Sequence, residues 1–182
     1  LDRISSGFGL QALALPIRSV GVKADLRCYE HPVLLTGEAS FSQLLEATRK
    51  ILGEVADINR VIWNLSSEHP AQAQLRSSTM TRERLDLLRD ADQLVMDALR
   101  RHGLYHQIWQ CPTAMLPLSF HGGGGEFVVI RPVLSSRAMI AKPAELPLVV
   151  LDELREAILA LPNISGVGLD LTSKPPGTIE WE

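Results

Sequence analysis

The sequence has 182 residues, 46% of them hydrophobic and 21% charged, with a formal net charge of -3. That length suits one large domain or two small ones, and the composition is far from the disordered class. A pI near 6.0 lacks the basic excess of a nucleic-acid surface, and no apolar run approaches the ~18 residues that span a bilayer.

No basic, apolar, small-residue order opens the chain as a signal peptide would, so a cytoplasmic address is expected. Leu1 stands where an intact chain would have Met, as in a piece of a longer protein. Cys28 and Cys111 are far apart and show no ligand spacing with the five histidines, which points to idle thiols rather than a disulfide or a metal site.

In chain order, residues 1–10 mix Ser, Gly and polar residues without periodicity and read as a lead-in. A strand is expected near Ile17–Val22 and a second over Val33–Thr36. Ser40-x-x-Gln43 has capping-box form, and Phe41, Leu44, Leu45, Thr48, Ile51, Leu52 and Val55 keep helical spacing after it. Arg60–Leu65 is β-branched and aromatic, as a partly buried strand would be.

Residues 66–80 read as polar loop. Thr81–His102 carries Leu85, Leu88, Val95 and Leu99 on one helical face and stops at Gly103. Pro112 interrupts Gln107–Leu116, which reads as strand or extended loop. Gly122–Gly125 follows His121 but leads into the strand Glu126–Pro132, so it fits a connector better than a phosphate loop, which opens a helix. Pro147–Leu161 predicts a third helix and Gly166–Leu171 the last strand.

The stretch Ile58–Pro70 matches Ile164–Pro176 at a constant offset of 106 (58 to 164, 65 to 171, 70 to 176), each copy following an amphipathic helix. Duplication of a strand-helix-strand unit explains this better than chance in two β-rich stretches. The fold predicted is α+β: two repeated two-layer units, each a mixed or antiparallel sheet with its helix on one face. The divisions expected are a lead-in at 1–12, a first repeat at 13–70, an inserted helix and connector at 71–125, and a second repeat with a tail at 126–182.

The tail, Thr172-Ser-Lys-Pro-Pro-Gly-Thr-Ile-Glu-Trp-Glu182, resembles the C-terminus of glutamine-hydrolysing GMP synthases. Pro16-Ile-Arg-Ser-Val-Gly-Val-Lys-Ala-Asp-Leu-Arg-Cys-Tyr29 resembles the start of their C-terminal dimerisation domain. Arg60–Trp63, Arg100–Tyr105, Ile108–Pro112 and Phe127–Arg131 fall in the order of the long form of that domain, which carries an inserted subdomain. The resemblance covers about residues 13–182.

It implies a reaction in which ATP and Mg2+ adenylate the C2 oxygen of XMP and glutamine-derived ammonia displaces AMP, yielding GMP in purine biosynthesis. In such enzymes this domain pairs two subunits and helps hold XMP, alongside glutaminase and ATP-pyrophosphatase domains. No cofactor is expected in the chain itself, and neither nucleic acid nor membrane is expected as a partner. The Ser-Gly-Gly-x-Asp-Ser loop that would cradle ATP phosphates is missing, and neither cysteine has a nucleophile-elbow context, so the chain alone is expected to be inactive. The alternative is a free-standing interaction or regulatory module descended from the domain.

The resemblance carries five XMP-binding residues over, with no catalytic residue and no metal ligand among them: Arg27, Gln110, Lys174, Thr178 and Glu180. Lys174, stiffened by two following prolines, would be a point charge for phosphate; the plain alternative is a solvated loop lysine. Arg27 would offer a bidentate fork, or else pair with Asp25 or Glu30. Gln110 would orient an oxygen or simply face water. Thr178 and Glu180 would bind ribose hydroxyls or position Lys174, or be solvated terminus, while Trp181 anchors the tail. Ala24 departs from the family's usual glycine, and Ser135–Met139 lacks its usual phenylalanine and acid.

Overall fold

The computed structural model describes residues 1–23, 26–66, 70, 72–120 and 124–181. Ala24, Asp25, Glu68, His69, His121 and the first two glycines of the 122–125 run lie outside them.

Eleven strands and four helices follow in the described chain. The first unit runs β1 (Gln11–Ala14), β2 (Ser19–Lys23), β3 (Leu26–Thr36), helix α2 (Phe41–Glu54) and β4 (Ile58–Asn64), preceded by α1 (Asp2–Ser6). The second runs β6 (Thr113–Leu116), β7 (Leu118–Phe120), β8 (Glu126–Ile130), β9 (Val133–Leu134), β10 (Lys142–Pro143), α4 (Leu148–Leu159) and β11 (Ile164–Asp170). Between the units lie β5 (Ala73–Leu75) and α3 (Arg82–Arg101).

The two units share one mixed sheet of order β1-β3-β4-β11-β8-β6, with β2 paired to the first half of β3. Parallel pairs β3–β4 and β8–β11 each enclose their own helix in sequence, and β4 meets β11 antiparallel at the centre. The seam is two-fold in its bonding. Leu65 N–H donates to the Val167 carbonyl and Leu171 N–H to the Val61 carbonyl, both at 2.9 Å, each bond mapping onto the other at the sequence offset. Asp57 and Asn163 are also equivalent. Each has φ of 59°, a region Asn and Asp tolerate, and each carbonyl accepts from the first paired residue of the parallel neighbour, His31 in β3 or Glu126 in β8.

Side chains alternate across the sheet. Val33, Leu35, Val61, Val128, Ile130, Val167 and Leu169 face the helices, where Leu44, Ile51, Leu154 and Ile158 close the larger core. Leu34, Ile62, Phe127 and Val129 face the other way, over Leu15, Leu118 and Phe120. Helix α3 packs beside α4 and against β6, burying Ala91, Val95, Ala98 and Leu99.

Ser40 forms the capping box with Gln43 at the start of α2. Gly103, with φ of 69°, follows the α3 cap. The lead-in is packed: α1 precedes Leu10, which is buried, and Leu1, Ile4 and Phe8 lie against the core. The stretch read as polar loop at 66–80 contains β5, paired to β7; a three-residue strand carries too little period-2 pattern to register in sequence. Among the described residues no helix is long and apolar enough to cross a membrane.

Candidate functional site

Beneath the tail lies a knot of charge. Arg60 in β4, Arg131 just after β8 and Asp170 at the end of β11 are each fully buried. Asp170 Oδ2 accepts from Arg60 Nη1 at 3.0 Å and from Arg131 Nη1 at 2.9 Å. One carboxylate cannot balance two guanidiniums, and an uncompensated buried charge is costly. Tail oxygens complete the shell. Arg131 Nε donates to the Ile179 carbonyl at 2.9 Å and Nη1 to the Thr172 carbonyl at 2.9 Å. Arg60 Nη2 donates to Thr178 Oγ1 at 2.6 Å and to the Glu180 carbonyl at 3.0 Å.

Trp181 completes the clamp from both sides of its ring chemistry. Its indole N–H donates to Asp170 Oδ2 at 3.0 Å, and the Arg60 guanidinium lies 4.6 Å from its ring centroid, within cation–π range. Burial would raise the Asp170 pKa, but the Arg131 and Arg60 charges and the Thr172 hydrogen bonds outweigh it, so the carboxyl is held below its ordinary value. Arg60 Nε and Arg131 Nη2 find no partner among the described residues.

The segment that bears Lys174 is tied down at both flanks. Lys174 exchanges backbone bonds with Ala141, at 2.8 and 3.1 Å, and its Nζ donates to the Ala138 carbonyl at 2.9 Å. The peptide bonds into Pro175 and Pro176 are both cis. The Pro176 carbonyl then accepts from Val22 N–H at 2.7 Å, seating the tail on the β2–β3 hairpin. Only glycine fits under it at position 21, because a Cβ there would meet the Pro176 oxygen at 2.8 Å and Cys28 Sγ at 2.9 Å.

The five residues carried over by resemblance lie along one backbone path. Gln110 pairs with Val133, β9 pairs with β10, and Ala141 next to β10 pairs with Lys174, so the arm 131–143 joins Gln110 to Lys174. Gln110 is exposed. Arg27 is exposed on β3, opposite Val22, and so stands on the hairpin that receives Pro176. Thr178 gives its hydroxyl to the Arg60 contact, and the Glu180 main chain does the same while the residue itself stays exposed. Lys174 is half-buried.

Sequence reading passed over Arg60, Arg131 and Asp170 as a group. The signal was present: each interrupts or ends an otherwise apolar strand, and charged residues are almost never fully buried without partners. Cys111 is buried, which pushes its thiol up to about 12 and leaves it unreactive at neutral pH; Cys28 is also free.

Comparison with known proteins fits this geometry. Residues 97–181, which include Arg131, Asp170 and the tail, match the family model for the GMP synthase C terminal domain. These residues belong to the GMP synthase C-terminal domain family. Similarity to curated relatives reaches further upstream. A probable glutamine-hydrolysing GMP synthase of Leptospira interrogans is 36% identical over 190 aligned positions, covering 98% of this chain and 30% of that protein. The GMP synthase of Thermobifida fusca is 39% identical over 145 positions, 75% of this chain and 28% of its own length. That of Leifsonia xyli is 46% identical over 111 positions, 57% of this chain and 22% of its own. The chain thus spans under a third of the length of these GMP synthases.

Proposed function

We propose that this chain is the dimerisation and XMP-binding part of a GMP synthase that converts XMP to GMP with ATP and glutamine-derived ammonia. The observation that supports it is the tail: a lysine-bearing loop and a terminal Thr-Ile-Glu-Trp held over a buried Arg60–Asp170–Arg131 knot. A surface lysine ordinarily loses side-chain entropy when it binds. Here the loop is already fixed by Ala141 and Val22, so a phosphate has only to replace the Ala138 carbonyl on Lys174 Nζ. That exchange trades a neutral acceptor for a charged one and strengthens the bond.

In this reading Lys174 meets the XMP phosphate, and Arg27, exposed on its hairpin, adds a bidentate fork across a homodimer. Gln110 orients a phosphate or ribose oxygen. Thr178 and Glu180 serve ribose or hold the loop that carries Lys174. Trp181, packed on Arg60, keeps the arrangement from fraying.

Among the described residues no three His, Cys, Asp or Glu side chains gather as a metal site would need. In the same reading magnesium and ATP belong to the ATP-pyrophosphatase part of the longer protein and ammonia release to its glutaminase part, and this chain is inactive without them. The test is Lys174→Ala in the complete enzyme, which should weaken XMP binding by ~10-fold or more, as loss of a charged phosphate contact does. XMP affinity equal to that of the parent enzyme overturns the assignment. Sedimentation that finds only monomer removes the homodimer.

A further inference from the structure

The duplication produces two grooves, one beside each repeat helix. That beside α4 has a volume of about 760 Å³ and that beside α2 about 670 Å³. Arg155 and Arg49 line them at equivalent helix positions. In the α4 groove the arginine is neutralised: Arg155 lies 3.2 Å from Asp152, which lines the same groove, and 3.6 Å from Glu156.

The α2 groove differs in each respect that matters to a ligand. Among the described residues no carboxylate lines it. Arg49 and Lys142 both line it, and neither makes an ion pair or side-chain hydrogen bond among the described residues. The third lining cation, Lys23, is engaged by Glu30 at 2.6 Å. Thr48 lines the groove where α4 has Leu154 and is 4% exposed; its hydroxyl oxygen is itself buried and has no hydrogen-bond partner among the described residues. A buried polar group without a partner calls for an explanation. Leu52, Pro175 and Pro176 contribute apolar wall. A mostly apolar concavity of a few hundred Å³ with a few converging polar groups is the usual form of a small-molecule site.

We infer that the α2 groove binds a small organic anion, an apolar or planar body bearing one phosphate or carboxylate. Arg49 and Lys142 take the anionic group, the Thr48 hydroxyl turns from its buried position to the ligand by the change between the two rotamers open to a helical threonine, and the body lies against Leu52 and the two prolines. This site is separate from that proposed for XMP. Lys174 does not line the groove, and its ammonium is turned to the Ala138 carbonyl.

The test is calorimetric titration of the 182-residue chain with 1-naphthyl phosphate and 1-naphthoate, against inorganic phosphate and 1-naphthol. At least one naphthyl anion should bind at one site, 10-fold or more tighter than either control, and which one binds identifies the anionic group. Arg49→Glu with Lys142→Glu, both exposed positions, should weaken binding by at least 10-fold, and Thr48→Val by about threefold. Lys174→Ala should leave it unchanged, so that failure of the XMP assignment does not touch this one. Unaltered affinity in the double variant or in Thr48→Val, equal binding of 1-naphthol, or a loss confined to Lys174→Ala overturns the inference.

Discussion

The ends of β4 and β11 are the same backbone device with different chemistry. After β4, Ser66 N–H donates to Asn64 Oδ1 at 3.0 Å, and Val167 N–H donates to Ser66 Oγ at 3.1 Å. After β11, Thr172 N–H donates to Asp170 Oδ1 at 2.8 Å, and Val61 N–H donates to Thr172 Oγ1 at 2.9 Å. Asn64 also donates to Thr36 Oγ1 at 3.3 Å, where the equivalent pair in the second copy is Asp170 and Arg131. One copy is therefore a neutral strand terminator. The other has the same hydrogen bonds with charges substituted in, plus Arg60 reaching across the seam from the first copy, where the second has Gly166. The difference teaches what the charges are for: the backbone turn does not need them, and the tail does.

The largest expected effect follows from that division. Asp170→Asn leaves two buried guanidiniums uncompensated and should cost ~3–5 kcal/mol, the usual penalty for breaking a buried pair. Asn64→Ser, in the neutral copy, keeps an oxygen for the Ser66 N–H and gives up the bond to Thr36 Oγ1, so it should cost less, at ~0.5–1.5 kcal/mol for each neutral hydrogen bond lost. Urea midpoints of the two variants measure the contrast, and equal losses would collapse it. A second way to sharpen it is acid. The folded Asp170 pKa is depressed, so its contribution is fully present above the unfolded value near ~3.9 and is lost as pH falls through the folded value. The gap in stability between the parent protein and Asp170→Asn should thus be constant from pH 7 to about 5 and narrow below pH ~4.

Much of this was legible before the fold was known, and the legible parts share a cause. The 106-residue offset survived because β4 and β11 pair with each other across a two-fold seam, which demands matched side-chain period in both. Helix α2 was legible because Ser40, Gln43 and the Leu44–Ile51 stripe are all local. That the units fuse into one sheet was not, since which strand edges meet depends on contacts distant in sequence. The charge knot was hidden for the same reason: Arg60 and Asp170 are 110 residues apart, and each alone looks like the polar edge of a strand. Placement of Lys174 depended on the arm at 131–143, whose two-residue strands β9 and β10 carry no periodic signal.

A smaller effect separates the clamp from the seat. Gly21→Ala puts a methyl against the Pro176 carbonyl and Cys28 Sγ while leaving the Arg60–Asp170–Arg131 bonds untouched. Overpacking of this kind costs ~1–3 kcal/mol. If the knot is what holds Trp181, its fluorescence should stay that of a packed indole while the 174–177 loop shifts. A shift of Trp181 emission to that of a solvated indole would show instead that the hairpin, not the charges, seats the tail.

The smallest effect tests whether the two copies also differ in how their helices begin. Helix α2 starts with Ser40 accepting from Gln43 N–H at 3.3 Å while Gln43 Oε1 accepts from Ser40 N–H at 2.9 Å. Helix α4 starts at Pro147 with no side-chain cap, and proline there has no N–H to satisfy. The first helix therefore relies on a side chain for orphan donors that the second partly avoids having. Ser40→Ala should cost ~1 kcal/mol, measured as a shift in urea midpoint, and hydrogen exchange should rise at the first turn of α2 only. Pro147→Ala should change stability by less than that, because no hydrogen bond is lost. If the alanine variants at the two helix starts are equally destabilised, the asymmetry of the copies is confined to their strand ends, where the charges are.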